Sequence, residues 1–189
     1  MTAQRDPPND DVLRKLAAEV AALLADKQLS LVTAESCTAG LLAATLSQAE
    51  GASSWLHGGF VVYTKVNKVA ALGLDPQVLR DQSAVCADVA CALAEAALAR
   101  SPADIAVALT GVAGPEPDED SNPVGLVHIA CARRGMRTAN IAREFGNIGR
   151  NEVQCRAIET ALRLALRVAA AGPPQVASSR TQCAGSTDK

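Results

Sequence analysis

Two apolar runs, LSLVTAE at 29–35 and DIAVALTG at 104–111, each break off into small polar residues or glycine, with helical periodicity over much of the chain between them. Runs this short and this apolar read as buried strands, and a buried strand needs cover on both faces of its sheet. The cover is legible too. In DDVLRKLAAEVAALLADKQ the residues Val12, Leu13, Leu16, Ala17, Val20, Leu23 and Leu24 recur at helical spacing behind Asp10 or Asp11 as N-cap.

SCTAGLLAATLSQAE continues at helical spacing straight after the first strand, which predicts a sharp turn and a helix over 37–49. GGFVVYT at 58–64 is a β-branched and aromatic run behind two glycines, hence a second strand. KVNKVAALGL reads as a short helix, DPQVLRD carries Pro in a first turn behind Asp75, and CADVACALAEAALARS is a long helix. GLVHIACAR and RTANIAREF form two strands turning at 134–136, and GRNEVQCRAIETALRLALRVAA closes as a helix. Alternating strands and helices predict an α/β chain: a single-domain layered α/β/α sandwich, its mixed sheet carrying a late β-hairpin and flanking helices. The domain spans 10–170. Residues 1–9 and 171–189, rich in Pro, Ser, Gly and Thr without apolar periodicity, have the composition of disordered tails.

Charge and aromatic content narrow the partners. With 18 basic and 20 acidic residues and no dense basic block, the chain offers no footprint for nucleic acid or anionic lipid. One Trp, one Tyr and two Phe leave little to stack bases on. No apolar run reaches the ~18 residues of a membrane span, and the polar, proline-containing N-terminus is no signal peptide. A cytoplasmic protein acting on a small molecule is expected. The six cysteines form no C-x-x-C pair and read as reduced thiols, several of them small hydrophobes. The alanine-rich helices suit close packing against a second subunit, so a homo-oligomer is expected.

Ligands of open α/β sheets bind beyond the carboxyl ends of the strands, and three such places hold polar residues: 35–38, 63–68 and 110–115. Ser36 reads either as a plain N-cap or as a nucleophile mounted on the helix start, and spacing alone favours the cap. Cys37 at a helix N-terminus reads as a nucleophile or as a structural thiol. The two histidines, His57 beside two glycines and His128 inside an apolar strand, are poorly placed to serve it as a base, and neither they nor the cysteines have metal-ligand spacing. Lys65 and Lys68 read as solvated helix charges, or as amines that lose a proton in an apolar site and activate a serine. Gly111 and Gly114 allow a backbone to approach a ligand, and Arg150 opens the last helix, where it suits an anion or simply the surface.

TAESCTAGLLAATL, GGFVVYTKVNK, ALTGVAGP, NPVGLVHIA and FGNIGRNEV occur in the order and at nearly the spacing of the C-terminal domain of the competence-damage-inducible protein family, CinA. The resemblance covers roughly residues 10–169, and five ordered motifs are far more specific than one. It implies a nicotinamide mononucleotide deamidase: an amidohydrolase that yields nicotinate mononucleotide and ammonia, with neither metal nor cofactor. Carried over by matching position, Ser36 is the nucleophile, Lys68 the base, Tyr63 a residue that relays or orients the proton, and Thr110 a further catalytic residue. Cys37, Thr38, Gly111, Gly114 and Arg150 fall at substrate-binding positions. Backbone N–H groups at the start of the 37–49 helix form the oxyanion site, and Gly111, Gly114 and Arg150 hold the ribose phosphate.

The chain departs from the family pattern at the same sites. Lys65 replaces an Asn and puts a cation near Lys68. Glu116, Pro117 and Asp118 replace a run of glycines, and Ser121-Asn122 replaces Glu-Lys. These changes leave a second expectation beside the enzyme: a catalytically weak domain that binds a nucleotide or a partner protein.

Overall fold

A computed structural model describes residues 10–171. The tails expected at 1–9 and 171–189 lie outside the described residues, Ala171 excepted. The first helix, α1 (Asp11–Lys27), opens where the sequence places it, with the Asp10 carboxylate accepting from Val12 N at 3.0 Å and Leu13 N at 3.1 Å. The remaining elements run β1 (Leu31–Glu35), α2 (Leu41–Ser47), β2 (Leu56–Val61), α3 (Lys65–Leu72), α4 (Pro76–Asp81), α5 (Ala87–Ala99), β3 (Ile105–Gly111), β4 (Leu126–Arg133), β5 (Ala139–Glu144) and α6 (Arg150–Ala170).

The five strands form one sheet in the order β2-β1-β3-β4-β5. β2, β1 and β3 are parallel, β4 is antiparallel to β3, and β4–β5 is the expected hairpin. Strand alternation divides the core between two faces. Ile105, Val107 and Leu109 of β3, with Val127, Ile129 and Cys131 of β4, pack with α1, α2 and α6. Ala106, Ala108, Ala130 and Ala132 face the other way, toward Val89, Ala90, Leu93, Ala94 and Ala97 of α5. Alanine on both sides lets that helix lie close to the sheet, which is how a chain poor in aromatics still excludes water from its core. The result is a layered α/β/α sandwich. Among the described residues Cys37, Cys86, Cys91 and Cys131 are free thiols, and no helix is long and apolar enough to cross a membrane.

Two boundaries differ from expectation, and both differences shape the site. The second strand covers 56–61 rather than 58–64, because after Val62 N donates to Glu35 O the chain turns out of the sheet and Thr64 caps α3. The helix expected over 37–49 begins only at Leu41. Ala39 and Gly40 both hold left-handed backbone, with φ of 51° and 98°, so residues 36–40 are a turn instead.

Candidate active site

The parallel strands β1, β2 and β3 all end on one side of the sheet, and each delivers polar atoms there. β1 ends in Glu35, which is fully buried. One of its oxygens accepts from Thr38 Oγ1 at 2.7 Å and from Gly40 N and Leu42 N at 3.0 Å; the other accepts from Ala43 N at 2.8 Å and Thr33 Oγ1 at 3.0 Å. A carboxylate at the positive end of a helix with five donors offsets much of its burial cost. Glu35 therefore caps α2, and Ser36 does not. In the first turn of α2, Leu42 N and Ala43 N go to this carboxylate and Leu41 N to Thr38 O, so the N–H groups of Leu41 to Ala43 are all occupied.

Released from capping, the Ser36 hydroxyl faces α3. Lys68 Nζ donates to Ser36 Oγ at 2.9 Å, to Val62 O at 3.0 Å and to Tyr63 O at 3.3 Å, while Ser36 Oγ reaches Tyr63 O at 3.3 Å. Lys68 is only 1% exposed, and among the described residues it forms no ion pair. Desolvation lowers its pKa from the ordinary 10.5 to about 8, with the Lys65 charge adding to the drop and Cys37 and Glu119 opposing it. The geometry suits either protonation state. An ammonium has three donors for three acceptors; a neutral amine keeps two donors for the carbonyls and turns its lone pair to the serine.

Ser36, Cys37, Tyr63, Lys68, Thr110, Gly111, Gly114 and Arg150 all line a single cleft of about 640 Å³. Thr38 does not line it; its buried hydroxyl serves Glu35 instead. Tyr63 contributes its backbone carbonyl to the serine and lysine, and its side chain stands 55% exposed in the cleft wall. Thr110 is buried and donates to Ala84 O at 2.7 Å, tying the end of β3 to the turn before α5. At Gly111 a Cβ would lie 2.6 Å from Leu126 O and 2.8 Å from Val127 Cα, so only glycine lets β4 approach there. Gly114 has φ of 93° and turns the chain into the loop that rims the cleft. Arg150 is exposed in the first turn of α6 and pairs with no carboxylate among the described residues.

Cys37 is 6% exposed, and burial, reinforced by Glu35, pushes its thiol up to about 12. A thiol held protonated is a poor nucleophile. Neither His57 nor His128 lines the cleft. Among the described residues no group of three or more His, Cys, Asp or Glu is arranged to hold a metal ion.

The two departures in sequence meet in space. Lys65 Nζ lies 3.0 Å from Glu119 and 2.8 Å from Asp120, so the added cation is paired with the altered loop. Asp118 organises that loop, accepting from Asp120 N at 3.1 Å and Asn122 N at 2.8 Å, and Asn122 Nδ2 bonds Ser83 Oγ at 2.8 Å. Two supporting residues escaped the sequence reading. Glu35 looked like the polar end of a strand, though a lone carboxylate closing an apolar run was a signal. Gln154 of α6, which donates to Cys37 O at 2.9 Å and steadies the turn, had none.

A buried lysine bonded to a serine at the carboxyl ends of parallel strands defines the class: an α/β/α sandwich carrying a Ser–Lys site. The family follows from comparison with known proteins. The CinA C-terminal domain model matches residues 13–169, and this chain belongs to that family. It is 41% identical over 152 residues to a CinA-like protein of Gloeobacter violaceus, covering 80% of this chain and 36% of that protein. It spans about a third of the length of the curated relatives it matches. Among solved structures, the competence/damage inducible protein CihA from Agrobacterium tumefaciens is 37% identical with a TM-score of 0.80, over 84% of this chain and 97% of that one. A competence-damaged protein (CinA) superfamily protein from Escherichia coli is 35% identical with a TM-score of 0.79, over 82% and 90%.

Proposed function

We propose that this chain is an amidohydrolase that deamidates nicotinamide mononucleotide to nicotinate mononucleotide and ammonia. The observation that carries the reading is the 2.9 Å bond between Ser36 Oγ and the buried Lys68 Nζ, in a cleft large enough for a mononucleotide. Family membership supports it, and so does the depressed Lys68 pKa, which leaves an appreciable share of neutral amine near pH 8.

In this scheme neutral Lys68 takes the Ser36 proton as Oγ adds to the carboxamide carbon. The tetrahedral intermediate collapses by breaking its C–N bond, and the Lys68 proton leaves with the ammonia. Water, deprotonated by the same amine, then splits the acyl-serine ester to the carboxylate and restores Ser36. The oxyanion falls to the backbone N–H groups of Cys37 and Thr38, since Ser36 N donates to Leu109 O. Arg150, Gly111 and Gly114 receive the ribose phosphate. Tyr63 holds the serine and lysine in register through its carbonyl, and its ring covers the substrate. Neither a metal nor a cofactor enters.

The second reading, a weakly catalytic domain that binds a nucleotide or a partner, is favoured by one observation: Glu116, Asp118 and Glu119 face the cleft and repel a phosphate. Calorimetric binding of nicotinamide mononucleotide and ammonia release, measured on one preparation, separate the two. Turnover with one nicotinate mononucleotide formed per ammonia supports the enzyme; binding without turnover supports the module.

A further inference from the structure

Lys65 and Lys68 stand at i and i+3 of α3, so their side chains leave the same face of the helix. Lys68 turns inward to Ser36. Lys65 turns to the rim, where its ammonium meets Glu119 at 3.0 Å and Asp120 at 2.8 Å. Lys65 and Asp120 are each about a quarter exposed, at 28% and 27%, whereas Glu119 is 70% exposed. Asp120 is thus the better-shielded partner. It also accepts from Ala84 N at 3.4 Å, and Ala84 O is the acceptor of Thr110. Asp120 therefore links three segments of the cleft: the start of α3, the turn before α5 and the loop after β3.

We propose that Asp120 is a positioning residue of this site, clasping the Lys65 ammonium to the rim so that it stays neutralised and away from the base Lys68. The proposal rests on reading Lys68 as the base for Ser36. A surface ion pair of this kind adds little to stability. Its effect is electrostatic and local, since a free cation on the same helix face disfavours a second one. The partners shift in matching directions: Asp120 holds Lys65 above its ordinary pKa, and Lys65 holds Asp120 below its own. The charged and titratable groups around Lys68 are Cys37 from the turn after β1, Lys65 from its own helix and Glu119 from the loop, with Tyr63 from the segment before α3 and Glu116, Asp118 and Arg150 also lining the cleft. Lys65 is the group among them that Asp120 pairs, with the more exposed Glu119 as its second partner.

The test is the titration of the Lys68 amine by nitrogen-15 NMR of the full chain, assigned with Lys68→Met. Asp120→Asn leaves Lys65 only the exposed Glu119 as partner, so the Lys68 midpoint falls, by at most roughly half a unit, the effect of one unpaired charge at helical i,i+3 spacing. Lys65→Asn moves it up, and the double variant returns it toward wild type. The acid limb of the pH–rate profile follows in the same order. An unchanged midpoint in both single variants, or shifts of the same sign, overturns the clasp. If Asp120→Asn fails to fold, Asp120→Ser takes its place: a downward shift supports the clasp and an unchanged midpoint refutes it. Shifts as described without ammonia release by the wild type would remove the amidohydrolase and leave the clasp standing.

Discussion

Lys68 Nζ and Ser36 Oγ meet at 2.9 Å from two different elements, α3 and the turn after β1, and neither group is the cap of its helix. The serine is free because Glu35 does the capping. The lysine is buried because Val62 and Tyr63, leaving β2 early, offer it two carbonyls.

The burial of Lys68 has a pH signature. The base must be neutral, so the rate rises through about pH 8 and levels above it. Stability follows the same group. The folded pKa lies below the ordinary 10.5, so between about 8 and 10.5 the unfolded chain binds more protons and stability rises with pH. Below that window the buried charge costs about 3 kcal/mol. Lys68→Met should therefore lower the rate by orders of magnitude and flatten this slope relative to wild type in urea titrations. A parallel slope in the variant would contradict the burial.

Glu35 predicts a structural dependence that a serine cap would not. Glu35→Gln replaces an acceptor oxygen with an amide nitrogen against backbone donors that cannot turn away. The expected cost is about 3 kcal/mol or more, read as a lower urea midpoint, together with a lost rate because the 36–40 turn shifts. Ser36→Ala, by contrast, should cost only about 1 kcal/mol, since Lys68 keeps its two carbonyl acceptors.

Cys37 lines the cleft yet stays protonated. Iodoacetamide at neutral pH should neither alkylate it quickly nor inhibit, and Cys37→Ala should retain most activity. Rapid inactivation with label on Cys37 would reverse the assignment of nucleophile.

Arg150 carries the phosphate prediction. Arg150→Ala should raise KM for nicotinamide mononucleotide with little change in kcat, and should spare nicotinamide riboside. Equal losses on both substrates would place Arg150 elsewhere in the mechanism.

The layers and the hairpin were readable because apolar period and turn residues are local. Val107 and Leu109 alternate with Ala106 and Ala108, and that alternation alone assigns a face to each. The site residues were named through family resemblance, since spacing by itself favoured Ser36 as a cap. What stayed hidden was tertiary. That Glu35 would fold back onto Ala43, that Tyr63 would act through its carbonyl, and that Lys65 would find Asp120 across 55 residues each depend on where β1, β2 and the loop after β3 converge. No local pattern encodes that convergence.

Ammonia release from nicotinamide mononucleotide, by the wild type and by Ser36→Ala in the same assay, decides whether Ser36 is the nucleophile of an amidohydrolase. The expected result is steady release by the wild type and none by a Ser36→Ala protein that remains folded and still binds the nucleotide. Undiminished release by Ser36→Ala would contradict it.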